Sequence, residues 1–121
     1  MKPVRTWVAA VALFLAAVAW TVPHLDLVDS HPKPDQALAA PPTEVWLKFS
    51  TAPDLVRSTF SLQGPAGAVE LGAVAAGSAP EILRAEVKGP VVPGSYTVSW
   101  VGVPPGEHAV RGRFTFTVGG P

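Results

Sequence analysis

The sequence predicts an all-β domain, an antiparallel β-sandwich or Greek-key barrel of about seven short strands, preceded by an N-terminal export segment. Three observations point to this class. The 121 residues include 14 Pro and 11 Gly, and their spread leaves no room for a long helix after residue 20. Several runs alternate apolar and polar residues with a period of two, which is typical of half-buried strands. Turn sequences rich in Pro and Gly separate these runs.

The first 23 residues are predicted to be a signal peptide or a membrane anchor with a short spacer. Two basic residues precede an unbroken apolar run at residues 8–19, which is short for a membrane helix of about 20 residues but typical of a signal core. Small residues at Ala17 and Ala19 suit signal peptidase, so we expect cleavage after Ala19. An uncleaved anchor at the inner membrane is the alternative, because the apolar stretch extends to Val22.

Five alternating runs give the strongest strand predictions within the single domain expected at residues 24–119. In the first run Val45, Leu47 and Phe49 share one face, and the later runs align their aromatic and branched residues in the same way. These predicted strands are residues 43–50, 57–63, 81–88, 95–101 and 113–118. Two weaker strands are predicted at residues 24–29 and 68–75, and residues 37–42 are predicted to be a connector.

Composition excludes several classes of function. The chain has no Cys, which rules out disulfide scaffolds, thiolate zinc sites and thiol nucleophiles. Nine basic and nine acidic side chains give a net charge of zero, which argues against nucleic-acid binding because phosphate affinity requires a basic surface. Neither a serine-nucleophile motif nor a recognisable pair of catalytic carboxylates is present. No catalytic constellation therefore stands out in the sequence.

Three segments resemble the CopC family of periplasmic copper-resistance proteins. The first starts at His24 and reads HLDLVDSHP, followed after one residue by PDQAL. The second, residues 42–50, contains the strand EVWLKFS. The third, residues 92–118, joins a Pro-Gly-x-Tyr-Thr-Val-x-Trp strand, a histidine-bearing loop and a Gly-x-Phe-x-Phe-x-Val strand in the family's order and spacing. The likeness extends over residues 24–118 and is weakest at residues 54–90.

The resemblance implies an immunoglobulin-like β-sandwich in an exported, non-catalytic protein that binds one Cu(II) per chain for copper resistance, storage or delivery. In this family the first histidine of the mature chain binds copper through its amine and its ring, and an Asp-x-His pair before the last strand completes the site. The two histidines correspond to His24 and His108. A membrane copper transporter of the CopD type is the implied partner.

The sequence departs from the family pattern on both sides of the implied site. Gly106 stands where the family has its aspartate, so Glu107 and Asp26 are the candidate carboxylate ligands. Cleavage after Ala19 would leave His24 without a free amine. The single Met is Met1, so the methionine-rich Cu(I) site of some members is absent, while nitrogen and oxygen donors suit Cu(II).

These departures leave a second function open, a degenerate, metal-free β-sandwich that acts as an interaction module. A third, much weaker resemblance is to the lytic polysaccharide monooxygenases, which also pair an N-terminal histidine with a second histidine. That activity would require a free His24 amine and normally a flat aromatic face, and the chain has one Tyr. His31 is interpreted as a turn residue, and Arg111 and Arg113 as a solvated strand edge.

Overall fold

The computed structural model describes residues 25–120, and these form nine β-strands. The strands are β1 (Leu27–His31), β2 (Ala37–Leu38), β3 (Glu44–Phe49), β4 (Thr59–Gly64), β5 (Gly67–Val69), β6 (Ala75–Ala76), β7 (Ile82–Glu86), β8 (Gly94–Gly102) and β9 (Val110–Val118). No helix in this part of the chain is long and apolar enough to cross a membrane. The predicted export segment at residues 1–23 lies outside the described residues.

The strands form two sheets that pack as a sandwich. One sheet has the order β1-β3-β7-β6 and the other the order β2-β9-β8-β4-β5. The paired strands run antiparallel, apart from β2, which lies parallel to β9. The predicted all-β sandwich is therefore confirmed, with one parallel pair added at the edge of the larger sheet.

The core lies between the two sheets and consists of the residues that the period-two pattern assigns to the inner face. Val45, Leu47 and Phe49 of β3 are all at most 1% exposed. From the other sheet, Trp100 meets Phe49 edge to face with ring centroids 5.1 Å apart, a favoured aromatic geometry. The other buried apolar residues of this cluster are Leu25, Phe60, Leu62, Leu83, Ala85, Tyr96, Val98, Phe114, Phe116 and Val118.

The five strong strand predictions are confirmed, with ends that shift by up to three residues. The two weaker strand predictions and the connector differ more from the structure. Strand β1 begins at Leu27 and ends at His31, so His31 is a strand residue and not part of a turn. A register shift between Leu27 and Asp29 is a β-bulge, which breaks the alternation that would have marked the strand in the sequence.

The single strand predicted at residues 68–75 is wrong. Strands β5 and β6 divide that region between the two sheets, with Leu71 bridged to Val87 between them. The connector predicted at residues 37–42 is also wrong in part, because Ala37 and Leu38 form β2. Strands of two residues are too short to show a periodic pattern, so the sequence carries no signal for β2 or β6.

Candidate metal site

The described chain enters the sandwich at the end where β8 finishes. Leu25 is 2% exposed, and its Cδ2 lies so close to Gly102 that a Cβ on that glycine would sit 2.3 Å away. Asp26 follows and is held to the end of β3, because its amide donates to Ser50 Oγ at 3.0 Å and its carbonyl accepts from the Ser50 amide at 2.8 Å. We call this region, residues 25–26, 50–58 and 102–110, the entry end.

The loop at residues 103–109 joins β8 to β9 and carries two of the candidate ligands. The Glu107 amide donates to the Pro104 carbonyl at 3.1 Å, and Gly106 has a φ of 76°. This geometry fits a type II turn, in which Pro favours the second position and Gly the third. Gly106 suits this position, since glycine adopts positive φ without the strain that most side chains cause.

Glu107 and His108 follow the turn directly, and both side chains are exposed. Neither makes a hydrogen bond, an ion pair or a ring contact with any of residues 25–120. The two side chains are thus available to an external ligand. In chemical terms they offer one imidazole and one carboxylate, a donor set that Cu(II) accepts.

The base of this loop is braced by the neighbouring segment at residues 50–58. Val103 accepts a hydrogen bond from the Asp54 amide at 2.7 Å and donates its own amide to Ser58 Oγ at 2.9 Å. Ser58 is 4% exposed, and its amide donates back to the Asp54 carbonyl at 3.0 Å. Both backbone groups of Val103 are satisfied, so the loop that carries His108 starts from a fixed point.

Asp54 adds an electrostatic contribution to this brace. Arg57 Nε donates to Asp54 Oδ2 at 3.1 Å, and the Val56 amide donates to Oδ1 at 3.0 Å. The guanidinium and, after it, the amide lower the pKa of Asp54, because hydrogen bonds to a carboxylate favour its charged form. Sequence reasoning missed Asp54 and Ser58, since an exposed-looking DLVRS segment does not reveal that it supports a loop some 45 positions away in sequence.

The structure brings three of the four predicted ligands to one end of the sandwich. Asp26, Glu107 and His108 all lie at the entry end and are exposed. His24 lies outside the described residues. Within residues 25–120, no group of three or more His, Asp or Glu side chains gathers closely enough to hold a metal ion, so any complete site needs a donor beyond that range or a movement of the loop.

His31 is placed far from these residues. It pairs with Trp46 in the register of β1 and β3 and stacks on the indole at 6.4 Å with an interplanar angle of 27°. Strand β1 starts at Leu27 beside the entry end, and four steps of roughly 3.3 Å carry it about 13 Å away. His31 therefore belongs to the outer face of the smaller sheet and not to the candidate site.

Comparison with known proteins identifies relatives of the whole sandwich. Residues 27–119 match the family model of the CopC domain. Among solved structures, the chain is similar to PcoC, a methionine-rich copper resistance protein from Escherichia coli, with 31% identity and a TM-score of 0.72 over 79% of this chain and 99% of that chain. It is also similar to CopC from Methylosinus trichosporium OB3b, with 28% identity and a TM-score of 0.71 over 79% of this chain and 94% of that chain. None of the curated proteins matches it.

Proposed function

Because this chain belongs to the CopC family, whose members are copper resistance proteins, we propose that it holds one Cu(II) at the entry end. It would serve copper resistance, storage or delivery outside the cytoplasm, without catalysis. The observation that carries the proposal is His108, an exposed imidazole without a partner among residues 25–120, on a loop braced at its base. A solvated histidine on a rigid support is a ready metal ligand.

The second nitrogen donor in this proposal is His24. It immediately precedes Leu25, and Leu25 packs against Gly102 at the base of the same loop. The residue that precedes Leu25 in the sequence is therefore the proposed second nitrogen ligand. Glu107 and Asp26 are the proposed oxygen donors, and the imidazole and carboxylate set favours Cu(II) over Cu(I).

The number of nitrogen donors depends on where the export segment is cut. Cleavage just before His24 would add a terminal amine to its ring, whereas the expected cleavage after Ala19 leaves the ring as the donor from that residue. The intact mass of the exported protein distinguishes a chain starting at Trp20, a chain starting at His24 and an uncleaved chain. The same measurement tests whether the protein is released or remains anchored at the inner membrane.

The direct test is a Cu(II) titration of the exported protein against a competing chelator. We expect one tight equivalent in the unchanged protein and its loss in His108→Ala. His31→Ala is the matched control, because it removes the same side chain from the outer face of the smaller sheet, and it should keep the tight equivalent. Weak binding that neither substitution alters would contradict the proposal.

The two carboxylates can be separated in the same assay. Glu107→Gln and Asp26→Asn remove one charge each at exposed positions, so neither should disturb the fold. If Glu107 takes the place of the family aspartate, Glu107→Gln should weaken copper binding while Asp26→Asn leaves it nearly unchanged. The reverse pattern would assign the oxygen donor to Asp26.

A metal-free interaction module is the second candidate, and one observation favours it. The position of the family aspartate is occupied by Gly106, which has a positive φ that a turn requires. The chain thus lacks the carboxylate at that point of the loop. Absence of tight Cu(II) binding in the titration would favour this function. The partner proposed for a copper carrier, a CopD-type membrane protein, would then receive no copper from this chain.

A further inference from the structure

Strand β9 has an open edge beside the candidate site. On one side it pairs with β8 along its full length, from Val110 to Val118. On the other side it pairs with β2, which covers Thr117 and Val118 and no further. The turn before β2 extends this cover by one contact, from the Asp35 amide to the Thr115 carbonyl at 2.7 Å. Within residues 25–120, the stretch from Val110 to Phe114 has no neighbouring strand on that side.

The hydrogen bonds at the covered part show which backbone groups face the open edge. Thr115 accepts from the Asp35 amide, and the Thr117 amide donates to the Gln36 carbonyl at 2.9 Å, so both residues turn their backbone groups away from β8. Backbone direction alternates along a strand, and the register with β8 is regular. The amide and carbonyl groups of Arg111 and Arg113 therefore also point toward the open edge.

The side chains of Arg111 and Arg113 lie on the outer face of the larger sheet, both exposed. They border a shallow cavity of about 490 Å³ together with Ser61 and Ser99. Neither arginine forms an ion pair with any described residue, whereas Arg57 and Arg84 are paired with Asp54 and Glu44. The outer face of this edge thus presents two guanidinium groups without an ion-pair partner, on Cα atoms about 7 Å apart because they are two residues apart on one strand. Asp35 lines a neighbouring cavity together with Arg113 but forms no ion pair with it.

We propose that the β9 edge from Val110 to Phe114 is a strand-addition site for an extended segment of a partner protein that carries carboxylates at alternate positions. Such a segment would hydrogen-bond to the free backbone groups of Arg111 and Arg113. Its alternate side chains would lie directly opposite the two guanidinium groups, where opposite charges attract. The edge begins two residues after His108, so this partner would be held beside the candidate copper site.

Three other occupants fit the edge less well. A second copy of the chain would place arginine against arginine, and like charges opposite each other destabilise a strand pair. The chain's own residues 1–24 contain no Asp or Glu. An anionic bilayer would face the whole domain. Without Lys2 and Arg5 the chain has nine acidic and seven basic side chains, so its net charge is negative and would be repelled. A short acidic segment contacts only the two arginines at the edge.

The test uses the copper-free exported protein and a capped five-residue peptide of Thr and Asp, with Asp at its second and fourth positions. By NMR we expect the amide signals of Arg111 and Arg113 to shift and their hydrogen exchange to slow. The Gly112 amide, which already faces β8, should keep its exchange rate. Two matched peptides, one with Asn for Asp and one methylated on its backbone nitrogens, should both bind more weakly.

The protein variants separate this edge from general charge effects. The double substitution Arg111→Gln with Arg113→Gln should weaken peptide binding about 3-fold or more, as expected for two exposed ion pairs. Lys48→Gln with Lys88→Gln removes the same charge away from this edge and should leave binding unchanged. Equal weakening by both double variants, binding that backbone methylation does not affect, or no binding would overturn the proposal.

A parallel assay with vesicles that contain anionic phospholipid addresses the membrane. Capture by vesicles, without binding of the acidic peptide, would also overturn the proposal. The role of the partner in copper transfer rests on the proposed function, but His108 is unchanged in each of these variants and no metal is present. Failure at the edge is therefore distinguishable from failure of the copper titration.

Discussion

The two ends of the sandwich use their polar and aromatic side chains differently. At the opposite end from the site, which we call the hairpin end (residues 64–67 and 91–94), the ring of Tyr96 fills the space over Gly64 and its hydroxyl donates to the Val92 carbonyl at 2.6 Å. At the entry end, His108 and Glu107 stay exposed without partners in the described chain. The Tyr96 side chain is committed to the fold, whereas those of Glu107 and His108 are available to a ligand.

The entry end thus combines a fixed loop base with exposed side chains further along the loop. Val103 is fixed by Asp54 and Ser58, yet five residues further on His108 meets solvent. Ligand sites commonly lie on loops that a rigid scaffold positions. Substitution of Tyr96 should therefore reduce stability and spare copper binding, and substitution of His108 or Glu107 should do the opposite.

The largest expected effect is at the hairpin end. Tyr96 is 2% exposed and stacks on Phe116 at 5.5 Å, so Tyr96→Ala should lower the free energy of unfolding by about 3–5 kcal/mol, as for other buried aromatic residues. Urea denaturation measures this loss. Tyr96→Phe is the control, which loses the hydrogen bond alone, at about 0.5–1.5 kcal/mol. An equal loss in both variants would mean that the ring does not support this end.

Gly102→Ala tests the junction between the core and the entry end. Its Cβ would lie 2.3 Å from Leu25 Cδ2, and such overpacking costs about 1–3 kcal/mol. Leu25 has to move, so copper affinity should fall together with the free energy of unfolding. Gly119→Ala is the matched control, because its Cβ would meet one atom at an ordinary 3.5 Å. Unchanged stability in Gly102→Ala would contradict the close packing of Leu25 on Gly102.

Ser58→Ala tests the brace under the loop. The substitution leaves the Val103 amide without its partner. An unsatisfied buried donor lowers the free energy of unfolding by about 1–3 kcal/mol, and we expect about 1–2 kcal/mol because this amide lies close to the solvent-exposed loop. Thermal or urea unfolding would detect the loss. Ser61→Ala, on the exposed outer face of β4, should cost nearly nothing. If the two variants unfold alike, the Ser58 hydroxyl does not support the loop.

The smallest expected effect is a pH dependence. The folded state lowers the pKa of Asp54 through Arg57 and the Val56 amide, so this contribution to stability is complete above the unfolded pKa of about 3.9 and is lost as the pH falls through the folded value. Asp54→Asn should flatten the acid side of the stability profile, measured by urea unfolding at several pH values. Arg57→Gln should act in the same direction, and an unchanged profile in both would contradict the assigned cause.

The sequence predicts the core better than it predicts the edges. The inward faces of β3, β4, β8 and β9 follow from period-two alternation, and their residues are buried as expected. Strand β2 could not be predicted, because its two residues form a strand through their pairing with β9. The open edge beside Arg111 and Arg113 could not be predicted either, because it depends on where the pairing of β2 with β9 ends.

The candidate site was predicted by resemblance and not by spacing. His108 stood out because its loop and flanking strands resemble those of a copper-binding family, since a single loop histidine is otherwise an ordinary surface residue. Gly106, at the position where the family pattern has an aspartate, has a positive φ of 76°. Asp54 and Ser58 left no signal, because their role depends on a contact between segments that are distant in the chain.

The central claim, that copper binds at the entry end, is tested most directly by the position of the metal itself. Cu(II) is paramagnetic and broadens the amide NMR signals of residues near it, and the nine residues of β8 separate the two ends by about 27 Å. We predict that one equivalent of Cu(II) broadens the amides of Asp26, Ser50 and residues 103–109 and leaves those of residues 64–67 and His31 sharp. Broadening centred on the hairpin end or on His31 would contradict the account.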